Sequence, residues 1–583
     1  MTDAEILAAA RAWCTDDPDP ATKAAAEALV AKGDPAVLRD HFGARLQFGT
    51  AGLRGALGPG PNRMNRALVR RVTAGLGSYL LEHVGDAAGK GVVVGRDGRH
   101  GSPEFAEDVD TVLAGAGIRV WFHEQMCPTP VLAHAVVHLR AAAGVMVTAS
   151  HNPPQDNGYK VYWSDGAQII PPHDHGISAR IDTIRQLAGV PIPDFHPARR
   201  DGRIKYVSDD VFEAYLEKVL ALRVHRETGA KIVYTAMHGV GARSIRRVLH
   251  EAGHDDLHFV AAQVDPDPAF PTVKFPNPEE PGALNLATTL ARVVGADVII
   301  ANDPDADRLA VAARERDDNY KPLSGNQIGV LLAADLLENG PGENGGRRMV
   351  ATSVVSSRML ETVANAMGVA YADTLTGFKW IAAEALKHEA AGGRFVFGYE
   401  EALGYSAGTV VRDKDGVSAA LLLADLASHP KARGETLFDR LEALYRQYGY
   451  FASAQRSLTL PGASGRRQIE AIMALLRERT PTELGGAALT RFRDLEKGVD
   501  KDIVAGTTGT PTLPTSDVLH FQYGPDIRVL ARPSGTEPKL KIYFEVRDTL
   551  ALEESLHDGI KRVGERVDDI ATELMALVKA VTG

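Results

Sequence analysis

The sequence predicts a multidomain α/β protein: three α/β regions with mixed, mostly parallel sheets, followed by a smaller α+β domain. Three observations point there. At 583 residues the chain is too long for one hydrophobic core, and about 150 residues per domain gives roughly four domains. Short apolar runs alternate with longer helical patterns, the signature of βαβ units and parallel sheets. Beyond Tyr445 to Tyr450 the pattern changes to amphipathic strands, a Gly/Thr/Pro loop over 506–514 and a closing helix from about Leu552.

Taken in order, the first forty residues read as two helices. Thr2 and Glu5 fit a capping box, and Asp19 followed by Pro20 fits an N-cap with proline at the first helical position. Pro191, Pro193 and Pro197 mark a linker after the first region, and Lys321-Pro322-Leu323-Ser324-Gly325 marks a second. The expected domains are therefore 1–205, 206–320, 321–445 and 446–583. Three apolar runs share a layout. Ala141 to Val147 leads into Ser150-His151, Ala296 to Ala301 leads into Asp303-Pro304-Asp305-Ala306-Asp307-Arg308, and Arg394 to Phe397 leads into Glu400-Glu401-Ala402-Leu403-Gly404. Each reads as a buried strand ending in a polar loop, the place where open α/β sheets collect ligands.

Composition narrows the class. The chain is 44% hydrophobic and 24% charged, as in ordinary globular proteins, and no apolar run has membrane-spanning length. Only Cys14 and Cys127 are present, too few for a disulfide framework, and the acidic start lacks a basic leader, so a reducing cytoplasm is expected. A formal charge of -10 argues against a general nucleic-acid binder, and an anionic substrate must meet locally placed cations. Nothing in the sequence sets monomer against dimer.

The chemistry sits in the loops. Asp303, Asp305 and Asp307 place three carboxylates at alternating positions after a strand, which suits a hard cation such as Mg²⁺. An EF-hand fails, because loop positions six and twelve hold Arg308 and Arg314. An aspartyl-phosphate phosphatase also begins with carboxylates after a strand and stays open. A solvated acidic turn is disfavoured by repulsion among three close carboxylates. Ser150 beside His151 reads as an activated nucleophile or as a turn before Pro153, and the absence of a Gly-x-Ser-x-Gly elbow disfavours acyl transfer. Arg532, Ser534, Gly535 and Thr536 supply a fork-shaped cation, two hydroxyls and a glycine, the parts of a phosphate cradle or of a plain hairpin turn. No P-loop is present, and Gly239-Val240-Gly241 lacks the third glycine of a dinucleotide fingerprint.

Together, Thr148 to Pro153, Asp303 to Arg308, Glu400 to Gly404 and Arg532 to Pro538 occur in the order found in the α-D-phosphohexomutase family, which the chain resembles from about Gln47 to its end. Gly49 to Gly55 and Gly95-Arg96-Asp97-Gly98-Arg99 fit as well. The resemblance implies four domains round a central cleft and a phosphosugar mutase. Ser150 would be phosphorylated and complete the Mg²⁺ shell of Asp303, Asp305 and Asp307, and a sugar bisphosphate, glucose 1,6-bisphosphate, would be the activator. It implies Lys160 as general base with a depressed pKa, and Arg54 and His151 as charge-stabilising and proton-handling groups. Arg308 would face the transferred phosphate, Glu400, Ala402, Gly377 and Lys379 the sugar, and Arg532, Ser534, Gly535 and Thr536 the phosphate at rest.

Two departures bear on the small-molecule phosphosugar. Many glucose and mannose mutases carry serine where this chain has Ala402, and Phe378 stands where some bacterial members place histidine. With Tyr399 to Tyr405 and Phe275 to Glu280, this resembles the branch that includes phosphopentomutases as well as phosphoglucomutases. Glucose 1-phosphate is the preferred substrate, with pentose phosphate and mannose phosphate as alternatives. A metal-dependent phosphatase and a non-catalytic phosphosugar sensor are the readings from other classes.

Overall fold

A computed structural model describes residues 1–50, 52–340, 347–460, 462–534, 539–551 and 553–582. The chain forms two compact units, 1–343 with 378–436, and 344–377 with 437–583. The expected region 321–445 therefore contributes to both. Among the described residues no helix is long and apolar enough to cross a membrane, and Cys14 and Cys127 are buried and free.

The first unit opens on three helices, Asp3–Asp16, Pro20–Lys32 and Pro35–Phe42. The expected capping box at Thr2 and Glu5 and the Asp19 cap are present. The third helix, which the two-helix expectation missed, starts by the same device: Asp34 accepts from the Ala36 and Val37 amides ahead of Pro35. Ile6, Ala10, Trp13, Leu38 and Phe42 form a core of their own, with Trp13 edge-on to Phe42 at 5.9 Å.

A six-stranded sheet follows, in the order Leu53–Ala56, Asp156–Trp163, Ala143–Val147, Val92–Arg96, Val120–Phe122 and Ile204–Tyr206. Its last four strands run parallel, and its first two are antiparallel to their neighbours. Val92, Val94, Val145 and Val147 are buried in its core, so the strands read as unbroken apolar runs. The proline-rich segment is not a linker between domains, because the chain returns after it to add Ile204–Tyr206 to this sheet. Its prolines pack inside the unit: a Cβ at Gly115 would lie 1.8 Å from the Pro191 carbonyl oxygen.

The second sheet of this unit has the order Tyr320–Leu323, Ala310–Arg314, Val298–Ala301, Ile232–Thr235 and Leu257–Phe259. The expected linker at Lys321 is its edge strand. Pro322 pairs with Ala312 at the outer edge, where a missing N–H breaks no ladder, and Ser324 caps helix Gly325–Asn339 with Gln327 in a capping box. Arg394–Glu400 pairs antiparallel with Gly404–Ala407 to complete the unit.

In the second unit Arg348–Ser353 pairs parallel with Ala370–Thr374. An antiparallel sheet carries Tyr450–Thr459, Lys539–Asp548, Ile527–Pro533, Leu519–Tyr523, Ala487–Asp494, Val499–Asp502 and Thr507–Gly509. Helix Leu556–Thr582 lays Val563, Val567, Ile570, Leu574 and Val578 into its core, at the three- and four-residue spacing of an amphipathic helix. Part of the expected 506–514 loop is strand, since Thr507–Gly509 closes a hairpin with Val499–Asp502. Buried Arg528 donates to the Val354 and Ser356 carbonyls and lies 3.0 Å from Glu545, which accepts from the Arg358 amide; these bonds hold 354–358 on the sheet.

Candidate active site

Strand Ala143–Val147 delivers Ser150 three residues past its end. There the backbone turns left-handed, with φ +52°, and the Ser150 N–H donates to Thr148 Oγ1 at 2.8 Å. Ser150 is 1% exposed. Its hydroxyl donates to Asp303 Oδ2 at 2.7 Å, and His151 Nδ1 lies 3.2 Å from Ser150 Oγ. Arg54 comes from the neighbouring edge strand, in register with Gly158, and its buried Nε has no protein partner. That strand enters close to the sheet: Gly52 has φ +72°, and a Cβ there would lie 1.8 Å from the Tyr159 carbonyl oxygen, so only glycine fits.

The aspartate loop leaves strand Val298–Ala301, and Asn302 closes it. The Asn302 amide donates to the Arg308 carbonyl at 2.6 Å, while its oxygen accepts from Tyr234 at 2.9 Å. Asp303, Asp305 and Asp307 are all buried, and one carboxylate oxygen of each lies within 4.8 Å of the others. Lys160, in register with Met146, reaches Asp305 Oδ2 at 2.6 Å and Asp307 Oδ2 at 2.9 Å. The second oxygens, Asp305 Oδ1 and Asp307 Oδ1, are buried without a partner. Orphaned hard oxygen acceptors in an all-carboxylate cluster fit a divalent, oxygen-seeking cation. Among the described residues His225, Glu227 and His429 form another cluster within the same limit. Its imidazoles stack at 3.9 Å, and Arg433 donates to His429 Nε2.

Electrostatics corrects one expectation. Burial alone would depress Lys160, but the Asp305 and Asp307 carboxylates outweigh it and raise its pKa, the opposite of the depressed value expected for it. Burial and its two acidic neighbours push Asp303 well above the usual carboxylate range. Asp305 and Asp307 are also buried, yet Lys160 draws both down. Burial, together with Arg308 and Arg54, lowers His151 well below its ordinary value and leaves a neutral imidazole beside the Ser150 hydroxyl. Burial also lowers Lys379 to about 8, with Glu400 opposing.

The 400–404 loop, expected to face the sugar, meets the aspartate loop within the first unit. Arg308 bridges to Gly404, the Leu309 amide donates to the Leu403 carbonyl at 3.1 Å, and Arg308 Nη1 lies 3.7 Å from Glu279. Glu400 is buried at the end of its strand, and Ala402 is half-buried in the turn. Lys379, on helix Phe378–Ala390, donates to Thr50 Oγ1. Gly377, Arg532 and Ser534 belong to the second unit. There Ser534 follows strand Ile527–Pro533, and its amide donates to the Lys539 carbonyl at 2.7 Å. Gly535 and Thr536 lie outside the described residues.

Two residues were missed. Thr129 ties Asp305 twice, its hydroxyl to Oδ2 at 2.7 Å and its amide to the backbone carbonyl at 2.9 Å. Lys414 places a second ammonium 3.3 Å from Asp307 Oδ2. Its signal was a charged Arg412-Asp413-Lys414-Asp415 run between apolar Val410-Val411 and the buried helix Gly416–Lys431, too polar for the surroundings unless internally paired.

Residues 45–188, 213–316 and 324–448 match the models of phosphoglucomutase/phosphomannomutase alpha/beta/alpha domains I, II and III, and 492–561 matches the C-terminal domain model. A phosphopentomutase of Homo sapiens is 37% identical over 557 residues, covering 92% of this chain and 90% of that protein. A phosphoglucomutase of Staphylococcus epidermidis is 36% identical over 502 residues, covering 86% and 90%. The crystal structure of a putative phosphomannomutase from Thermus thermophilus superposes with a TM-score of 0.66 at 25% identity, covering 92% of this chain and 99% of that one. With four domain models in order and relatives matched along most of its length, the chain is an enzyme and belongs to the phosphoglucomutase/phosphomannomutase family of α-D-phosphohexomutases.

Proposed function

We propose that the protein interconverts α-D-glucose 1-phosphate and glucose 6-phosphate, with Ser150 as the phosphoryl carrier. The observation that carries this is the 2.7 Å bond from the buried Ser150 hydroxyl to Asp303, inside a three-carboxylate cluster with orphaned oxygens. The proposed cofactor is Mg²⁺ on Asp303, Asp305 and Asp307, with the Ser150 phosphate as a further ligand. When bound it neutralises phosphoryl charge and polarises phosphorus. The Ser150 ester O–P bond breaks as a sugar hydroxyl takes the phosphoryl group and gives up its proton, and the Ser150 oxygen gains a proton as it leaves, giving glucose 1,6-bisphosphate, which also primes the enzyme. After the sugar turns, Ser150 takes back the other phosphate, so the result is isomerisation without hydrolysis.

Each residue then has a task. Neutral His151, 3.2 Å from Ser150 Oγ, accepts the serine proton when the phosphate returns. Lys160 and Lys414 neutralise the carboxylates, and Arg54 and Arg308 balance the phosphate in transit. Glu400, Ala402, Gly377 and Lys379 receive the sugar; Arg532 and Ser534, with Gly535 and Thr536, receive the phosphate at rest. The regions 1–205, 206–320, 321–445 and 446–583 carry one functional loop each. The buried free cysteines agree with a cytoplasmic location.

Incubation with glucose 1,6-bisphosphate and Mg²⁺ should leave an acid-stable phosphate that Ser150→Ala loses; a hydroxylamine-labile phosphate would instead mark an aspartyl phosphatase. A second reading, a pentose phosphate substrate, is favoured by the phosphopentomutase relative that covers 92% of the chain. Comparing kcat/KM for glucose, mannose and ribose 1-phosphates, each primed with its bisphosphate, decides between them. Glucose is expected to be fastest, and a hundredfold preference for ribose, about 2.7 kcal/mol, would replace it.

A further inference from the structure

The Gly95-to-Arg99 segment has no task in that scheme, yet Arg99 is among the most deeply buried cations of the molecule, 2% exposed. Its guanidinium lies under the serine loop. Nη2 donates to the Ser150 carbonyl at 2.6 Å and the Asn152 carbonyl at 2.5 Å, and Nη1 to the Pro153 carbonyl at 2.8 Å and the Asp156 carbonyl at 3.1 Å. Asp97 anchors Arg99 from behind: its Oδ1 accepts the Arg99 amide at 3.0 Å and the Ser102 hydroxyl at 2.8 Å, and its Oδ2 lies 3.5 Å from Arg99 Nε. The Phe270 ring covers the guanidinium, with its centroid 5.0 Å away.

We propose that Arg99 is a positioning residue for phosphoryl transfer, gathering four main-chain carbonyls of the 150–156 loop so that the Ser150 oxygen stays aimed at Asp303. The proposal rests on Ser150 being the carrier and deepens that reading. Four carbonyl dipoles converging on one buried point repel each other without a cation between them. Ser150 also holds a left-handed backbone that a serine seldom adopts. A planar fork with five donors can satisfy four carbonyls at once, whereas a lysine with three donors at a single nitrogen cannot. The charge is suited to the work as well: a phosphate on Ser150 adds nearly two negative charges beside three carboxylates, and the clamp resists the resulting displacement of the loop. Arg99 has no surface left for substrate, so its effect must pass through Ser150.

The test uses the full chain with Arg99→Lys, Arg99→Met and the milder Asp97→Asn, which loosens the anchor without removing the guanidinium. Three readouts are the rate at which Ser150 gains phosphate from glucose 1,6-bisphosphate by intact mass, kcat with KM, and Tm. For Arg99→Lys, kcat and the phosphorylation rate are expected to fall together by about 100-fold, the scale of an ångström-level misplacement, with KM almost unchanged; Asp97→Asn falls between. If Arg99→Met does not fold, the other two variants carry the result. Variants that melt earlier yet keep wild-type kcat and phosphorylation rate would overturn the clamp and leave Arg99 a stabilising residue only. A wild-type protein that takes no phosphate on Ser150 would overturn the carrier reading itself, and the clamp with it.

Discussion

Two lysines in the first unit, Lys160 buried and Lys379 half-buried, stand in opposite electrostatic states. Lys160 lies on a central strand between two carboxylates, and despite full burial its pKa is raised. Lys379 lies at the start of a helix with a hydroxyl for its hydrogen-bond partner, and burial brings it down to about 8. Burial acts on both in the same direction; the partners decide the outcome. One lysine is a fixed charge that balances the aspartate cluster, the other a titrating charge.

Removing divalent ions is the strongest challenge to the Lys160 side. With EDTA, turnover is expected to vanish and Tm to fall, both restored by Mg²⁺ and followed by coupled assay and thermal melting; full activity in EDTA would leave the orphaned Asp305 and Asp307 oxygens without a chemical purpose. Next in size, Lys160→Met strands two buried carboxylates, and kcat/KM should drop on the order of 10³-fold, about 4 kcal/mol, with a lower Tm. A Lys160→Met enzyme within tenfold of wild type would show that Lys414 alone balances the cluster.

The Lys379 side is sharpened by pH. In the free enzyme kcat/KM should decline above about pH 8 as Lys379 loses its proton, and Lys379→Arg should remove that inflection. The stability sign follows from linkage. Between about 8 and the ordinary value of 10.5 the unfolded chain holds the proton and the native chain does not, so the penalty of burying this charge is full below pH 8 and fades as pH rises toward 10.5. Lys379→Met should therefore gain most in Tm, relative to wild type, below pH 8. Smallest, Thr50→Val removes the hydroxyl that Lys379 contacts and should move the inflection lower by less than a unit, at a stability cost of about 1 kcal/mol.

The difference between the lysines also marks what could be read in advance. The loops of Ser150 and the three aspartates were legible as strand-end loops because each follows an apolar run, whereas the role expected of Ser150 came only from the order of the motifs. The state of Lys160 was not legible, because its partners are 145 and 147 residues away and only the folding of two sheets against each other supplies them. Lys414 and Thr129 escaped for the same reason. Pro322 and the prolines after 190 were misread because proline signals an interruption of the ladder, and an edge strand or a packed connection satisfies that signal as well as a linker does. Asp34-Pro35 carried the same helix-start signal as Asp19-Pro20 and was passed over. The closing helix was placed within a few residues, since an amphipathic period survives without any knowledge of its partner.

The interleaving of the two units sets an order on biosynthesis. When the ribosome has released Thr436, every residue of the first unit exists, but 344–377 still lack the sheet that Arg528 and Glu545 bring to them. At about 5–20 residues per second that wait lasts on the order of 10 s. During it Val354, Ser356 and Arg358 lack the Arg528 and Glu545 groups they bond to in the finished protein, and nascent chains stalled at this length are where a chaperone would be found bound.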